Sequence, residues 1–266
     1  PGLPQVACFD TAFHRTLPLA EKMLPLPHAM WERGIRRYGF HGLSYEYMSI
    51  ALPERHGLHA EGRTIVAHLG SGASLCAMAG LQSVATTMGF SALDGLMMGT
   101  RCGAVDPGVL LHLMATEKLS VEQLTNLLYH ESGLLGVSGF SSSPKALLDA
   151  EVVNPRARAA LALYLRRIVR EIGALTAVLG GLDMLAFTGG VGEHSAILRW
   201  RICAALEWLG VHIDRDANSA DAPTISARRS RVHVAVEPTN EEWIAATHAR
   251  RLLRPTSPVD QGYAVA

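Results

Sequence analysis

The sequence predicts an α/β fold. Short apolar, strand-like runs alternate with helical patterns along its 266 residues, and two of those runs deliver directly into glycine-rich turns. Apolar residues make up 48% and charged residues 18%, a balance that builds a buried core and excludes a disordered chain. This length suits one large domain or two smaller ones.

Each element has a local signal. Val6-Ala7-Cys8-Phe9 reads as a strand that ends at Asp10. Tyr38 to Gly42 reads as a loop, with Ser44 capping the helix that follows. Thr64 to Met78 and Leu81 to Met88 alternate or run apolar around Ala79-Gly80, the pattern of a hairpin. Asp106-Pro107 starts a helix, an N-cap followed by proline at the first helical position. Ser120 with Gln123 fits a capping box that opens a helix to about His130. The clearest helix runs from Asn154-Pro155 to near Gly180, where Leu161, Leu165, Ile168, Ile172, Leu175 and Leu179 form one apolar stripe. A further helix from about Ser195 to Leu209 stops at Gly210, and Val232 to Val236 is a short strand. A last helix follows Thr239-Asn240, and the residues after about Pro255 lack periodicity and read as a frayed tail.

Charge and cysteine usage narrow the class of partner. The formal net charge is zero and no block of like charges stands out, so clusters such as Arg228-Arg229-Ser230-Arg231 read as solvated faces and no nucleic-acid partner is expected. Cys8, Cys76, Cys102 and Cys203 are far apart and make no C-x-x-C pair, which suits a reducing cytoplasm. Pro1 to Gln5 shows neither a basic nor an apolar leader pattern. Ile172 to Val191 is the most membrane-like stretch, but Asp183 and five glycines make it a helix end, a turn and a buried strand. No membrane association is expected.

The two glycine turns carry the functional signal. One is His68-Leu69-Gly70-Ser71-Gly72-Ala73-Ser74 and the other is Phe187-Thr188-Gly189-Gly190-Val191-Gly192-Glu193. Glycine lets backbone N–H groups approach a phosphate without a Cβ in the way. With Met97-Met98-Gly99-Thr100-Arg101 between them, the turns point to a nucleotide held between two loops and faced by an arginine. Phosphoryl transfer is the expected chemistry.

Six segments, in order and spacing, resemble the acetate and butyrate kinase family. They are Phe9 to His14, Arg36 to Gly42, the His68 loop, Met97 to Gly103, the Phe187 loop, and Pro238-Thr239-Asn240-Glu241-Glu242. The resemblance, from Pro4 to about Leu253, implies an actin, Hsp70 and sugar-kinase-like fold of RNase H-like domains. It implies ATP-dependent phosphorylation of acetate to acetyl phosphate, reversibly, by a magnesium-dependent homodimer. Carried over by motif, Asp10 is the active-site aspartate, and His41 and Arg101 are the transition-state stabilisers. His68, Leu69, Gly70, Ser71 and Gly72 are nucleotide-binding, as are Ser143, Pro144 and Lys145, and Gly190, Val191, Gly192, Glu193 and His194. Glu241 is the magnesium-associated glutamate. His14 is expected to be a structural hydrogen-bonder, and Met97 and Met98 core residues.

The same resemblance divides the chain. Residues 1–11 read as a remnant of a first domain, 12–240 as the second, nucleotide-binding domain, 241–255 as a helix returning to the first, and 256–266 as a tail. About a third of a family member is then expected before Pro1, a portion carrying an Asn-x-Gly-Ser-Ser-Ser phosphate loop and an acyl-binding arginine, supplied separately if the chain is to act. Ser143 and Lys145 stand where the family has aspartate and arginine, Ser71 and His194 where it has asparagine, and Ala85 and Ala104 where aspartate is common. Propionate or butyrate as substrate, and a non-catalytic nucleotide-binding module, are the alternatives.

Overall fold

The computed structural model describes residues 2–253, so the tail expected after Pro255 lies outside the described residues. Its strands are β1 (Arg63–Leu69), β2 (Ala73–Ala79), β3 (Gln82–Thr86), β4 (Met184–Thr188) and β5 (His233–Val236). They form one sheet in the order β3-β2-β1-β4-β5. The first three make an antiparallel meander, and β4 and β5 add in parallel to β1. The α/β expectation therefore holds, with a mixed sheet.

The helices that matter for the site are α1 (Gly42–His56), α2 (Pro107–Ala115), α3 (Val121–His130), α4 (Pro144–Ala150), α5 (Pro155–Leu179), α6 (Gly189–His194), α7 (Ala196–Ala204) and α8 (Glu241–Leu253). The caps read at Asp106 and Ser120 are in place, and Asn154 caps α5. Asp106 accepts from the Gly108 N–H, the Ser120–Gln123 capping box closes both ways, and the Asn154 side chain accepts from Arg156 and Ala157.

The strand pleat divides the core into two layers, because successive side chains point to opposite faces. Ile65, Ala67 and Leu69 of β1, with Leu75 and Ala77 of β2, pack with Leu161, Ile168 and Ile172 of α5. Val66, Cys76, Met78, Met184 and Ala186 pack on the other face with Tyr45, Met48 and Leu52 of α1. Each fully buried leucine or isoleucine contributes about 1.5–3 kcal/mol, so the α5 stripe anchors its layer. Met97 and Met98 join that layer as expected.

Four expectations need correction. Val6 to Phe9 forms no strand: Phe9 is 69% exposed, and the segment is not among the five strands of the sheet. Thr64 to Met78 breaks into two strands at residues 70–72, so the meander has a second hairpin. Ser44 does not cap α1; the N-cap is His41, and the Asp10 carboxylate takes the free amides instead. Finally, the helix expected from Ser195 to Leu209 ends as a helix at Ala204 and closes with a 3-10 turn, Glu207–Leu209, before Gly210.

Candidate active site

The free N–H groups at the start of a helix attract a carboxylate, and Asp10 supplies one to α1. Its two oxygens accept from the backbone N–H of His41 at 2.7 Å and of Leu43 at 3.3 Å, while its carbonyl accepts from Gly42 at 2.8 Å. His41 sits in the left-handed region at φ 57°, a strained backbone for a residue with a Cβ, and these bonds hold it there.

The His41 ring packs inward. It stacks on His68, the last but one residue of β1, with ring centroids 4.2 Å apart and planes 19° from parallel. His41 Nδ1 lies 2.8 Å from Ser74 Oγ, and His68 Nδ1 lies 2.8 Å from Ser44 Oγ. Burial lowers the pKa of both rings. His41 falls to about 4, with Arg101 and His14 adding to the effect, and His68 to about 3, with His41 adding to it. Both imidazoles are therefore neutral at physiological pH.

Gly70 to Gly72 form the tight turn between β1 and β2, closed by the Gly70 N–H donating to the Gly72 carbonyl at 2.9 Å. A Cβ on Gly72 would sit 3.0 Å from His41 Nε2 and 3.3 Å from Arg101 Nη2, tight contacts that glycine avoids. Leu69 itself is buried in the core and offers the site only its backbone. Arg101 donates to the Ala92 carbonyl at 2.8 Å, and among the described residues no carboxylate pairs with it. An unpaired, half-buried guanidinium beside two neutral imidazoles suits an anionic ligand.

The second glycine loop is the N-terminal turn of α6, leaving β4. Gly189 has φ 75° and lies against the Leu69 backbone, which brings the two loops together. A cleft of about 550 Å³ opens beyond it, lined by Ser143, Pro144, Lys145, Gly190, Val191 and His194 of the expected set. A smaller cavity shares Ser143, Pro144 and Val191 with that cleft and reaches Gly70 and Ser71. Thus the loops read from sequence line two adjoining cavities that share Ser143, Pro144 and Val191. Gly192 and Glu193 are not among their walls. The Glu193 carboxylate accepts from the Gly189 N–H at 2.8 Å and from the Thr239 N–H at 3.2 Å, a capping role that braces the loop.

Sequence reasoning missed Leu148, Ser195, Ala196 and Ile197, which complete the cleft walls. It also missed Ser44, Ser74, Tyr45 and Thr239, whose hydroxyls surround the two histidines. His14 has the structural role expected of it, with Nδ1 on Ser83 Oγ and Nε2 on the Phe40 carbonyl.

Glu241 begins α8, half-buried. Burial raises its pKa, and the charges of Asp10 and Glu242 raise it further. No group of three or more His, Cys, Asp or Glu side chains that could hold a metal is assembled among the described residues. The Asp10 charge that raises Glu241 suits a shared cation, and magnesium is commonly held by one or two carboxylates plus phosphate oxygens and water.

Comparison with known proteins bears on these residues. The Acetokinase family description matches residues 1–247. An acetate kinase of Rhodopseudomonas palustris is 52% identical over 255 residues, which are 95% of this chain and 64% of that protein. An acetate kinase of Methylocella silvestris is 53% identical over 253 residues, 95% of this chain and 62% of that protein. Among solved structures, Porphyromonas gingivalis acetate kinase superposes with a TM-score of 0.89 at 41% identity, covering 96% of this chain and 65% of that one. A propionate kinase from Francisella tularensis superposes with a TM-score of 0.88 at 36% identity, covering 92% and 64%. The chain spans just under two thirds of the length of these relatives.

Proposed function

The chain belongs to the acetokinase family, and from that premise we propose that it carries the phosphoryl-transfer centre of an acetate kinase. Its α/β fold, a mixed five-stranded sheet flanked by helices, is of the actin and sugar-kinase-like type. The observation that carries the reading is the Arg101 guanidinium, with no carboxylate partner among the described residues, meeting the stacked His41 and His68 at the wall of the first glycine loop.

In the proposed reaction an acetate oxygen attacks the γ-phosphorus of ATP, and the bond from that phosphorus to the bridging oxygen of ADP breaks. Acetyl phosphate and ADP result, and the reverse step regenerates ATP. Acetate is already ionised at neutral pH, so no general base is needed. Charge spreads over the equatorial oxygens of the phosphoryl group in flight, and catalysis rests on positioning and electrostatics. Arg101 offers a planar fork to those oxygens, and His41 offers a neutral donor. Asp10 orders the start of α1 and with it the His41 backbone. Asp10 and Glu241 would hold magnesium, which supplies charge neutralisation on the phosphates.

The nucleotide lies in the cleft between Ser143–Lys145 and Gly190–His194, with its phosphates toward Gly70 to Gly72. Leu148, Val191 and Ile197 give apolar walls that suit a base. The phosphate loop and acyl-binding arginine expected of the family belong to the portion of the relatives that this chain does not span. A homodimer, a cytoplasmic location and the division at residues 11–12 and 240–241 belong to the same proposal. No helix among the described residues is long and apolar enough to cross a membrane.

Acyl-hydroxamate formation from Mg-ATP and acetate tests the reading, with the chain alone and with the unmatched third of a relative added. Product that depends on Arg101 supports it. A folded, nucleotide-binding protein that makes none in either mixture contradicts it. The propionate kinase likeness supports propionate as the alternative substrate, and kcat/KM for acetate, propionate and butyrate orders the three.

A further inference from the structure

The two stacked histidines are held by matching arrangements. His41 Nδ1 lies 2.8 Å from Ser74 Oγ, which lies 2.5 Å from the Tyr45 hydroxyl. His68 Nδ1 lies 2.8 Å from Ser44 Oγ, which accepts from Thr239 Oγ1 at 3.0 Å. Sheet register builds the first arrangement: His68 and Ser74 are cross-strand partners, and the pleat turns both toward the face that α1 covers with Tyr45. Asp10 makes the second possible, because by capping α1 it leaves the Ser44 hydroxyl free for another partner.

Counting hydrogens fixes their direction. Tyr45 is fully buried, and among the described residues Ser74 is the hydrogen-bond partner of its hydroxyl. A buried O–H left undonated is unfavourable, so Tyr45 donates to Ser74 Oγ. The hydrogen of Ser74 is then turned to His41 Nδ1. Likewise Thr239 donates to Ser44 Oγ, and Ser44 donates to His68 Nδ1. An imidazole nitrogen that accepts carries no hydrogen, and a neutral ring then holds its single hydrogen on Nε2. A ring whose Nδ1 accepts cannot be an imidazolium, so the hydroxyl geometry alone makes both rings neutral.

We infer that Tyr45–Ser74 and Thr239–Ser44 are twin hydroxyl relays that lock His41 and His68 in the Nε2–H tautomer, so that both rings present a donor to the first glycine loop. His41 Nε2 lies 3.0 Å, and His68 Nε2 3.8 Å, from the points where Cβ atoms on Gly72 and Gly70 would sit. The opposite tautomer would turn lone pairs toward an incoming phosphoryl oxygen. Ser74 and Tyr45 are therefore positioning residues for His41, and Ser44 and Thr239 for His68. Their catalytic consequence rests on the proposed phosphotransfer; the tautomers themselves do not.

Long-range proton–nitrogen NMR of the histidine rings near neutral pH tests the assignment on the unmodified protein. Both rings are expected to show an unprotonated Nδ1 and a protonated Nε2. Either ring as the Nδ1–H tautomer or as imidazolium overturns the relay. Ser74→Ala is expected to alter the His41 signature and leave that of His68. It should also lower kcat by about 10²-fold, the lower end of what a lost oxyanion-hole donor costs, with nucleotide KM held within about twofold. Tyr45→Phe keeps the ring packing and should move His41 in the same direction to a lesser extent. An unchanged His41 signature in a folded Ser74→Ala protein also overturns the relay. The unmodified spectrum needs no variant to fold and no turnover. Nε2–H rings in a protein without acyl-phosphate activity support the relay while contradicting the proposed function, and Nδ1–H rings in an active enzyme do the reverse.

Discussion

The two glycine-rich loops leave neighbouring parallel strands yet sit in opposite surroundings. The first, Gly70 to Gly72, is a tight turn pressed against the stacked imidazoles of His41 and His68 and the half-buried Arg101, which has no carboxylate partner among the described residues. The second, Gly190 to His194, is the first turn of a helix that borders an open cleft with apolar walls. Charge stabilisation needs groups that are rigid and desolvated, whereas nucleotide binding needs surface and access. On the proposed function, the contrast assigns chemistry to the first loop and grip to the second.

Substitutions at the first loop should therefore lower kcat, and those at the second should change nucleotide affinity. Arg101→Ala should have the largest effect, a loss of about 10³- to 10⁵-fold in kcat by analogy with arginine fingers. Steady-state kinetics check it, and a comparable rise in nucleotide KM with kcat preserved would break the division. Gly72→Ala should follow. Its Cβ would press on His41 Nε2 and Arg101 Nη2 and push them back by a few tenths of an ångström, so the loss should stay below the ~10²-fold that a misplacement of about 1 Å costs. Thermal melting of the same variant separates misplacement from unfolding.

Stability should also depend on pH through the buried rings. In the unfolded chain both histidines titrate near ~6.5, while in the fold His41 titrates at about 4 and His68 at about 3. Their stability contribution is full above the unfolded value. It declines as pH falls from there toward the folded values, because only the unfolded state takes up protons in that window. His233, lowered to about 4 chiefly by burial, acts in the same direction. Melting temperature should fall across that interval, and His68→Gln should flatten part of the decline. The smallest effect is expected at the second loop. Lys145→Arg adds a planar surface at the cleft wall, worth about 0.5–1 kcal/mol if it stacks on a base, a gain of about two- to fivefold in nucleotide affinity with kcat unchanged.

What the sequence made legible was local. The α5 stripe, the Asn154 and Asp106 caps and the Ser120–Gln123 box depend on residues within a few positions, and the fold reproduces them. Features that depend on distant partners were not readable. An apolar run at Val6 to Phe9 looks the same whether or not a neighbouring strand exists. Ser44 has the chemistry of a cap, yet Asp10, far earlier in the chain, takes that role and frees Ser44 for His68. Motif position gave Glu193 as a nucleotide residue and gave no sign that its Oε1 also accepts from the Gly189 and Thr239 N–H groups. Ser74 and Tyr45 carry no motif; only the β1–β2 register and the packing of α1 bring them to His41.

The most direct test of the division between the loops measures nucleotide Kd and single-turnover acetyl phosphate formation side by side, in the unmodified protein and in Arg101→Ala, each supplied with the portion of the relatives it does not span. The division predicts a Kd that barely changes and a turnover rate that falls by about 10³-fold or more. A Kd that rises as steeply as the rate falls, or a rate that survives the loss of Arg101, would contradict it.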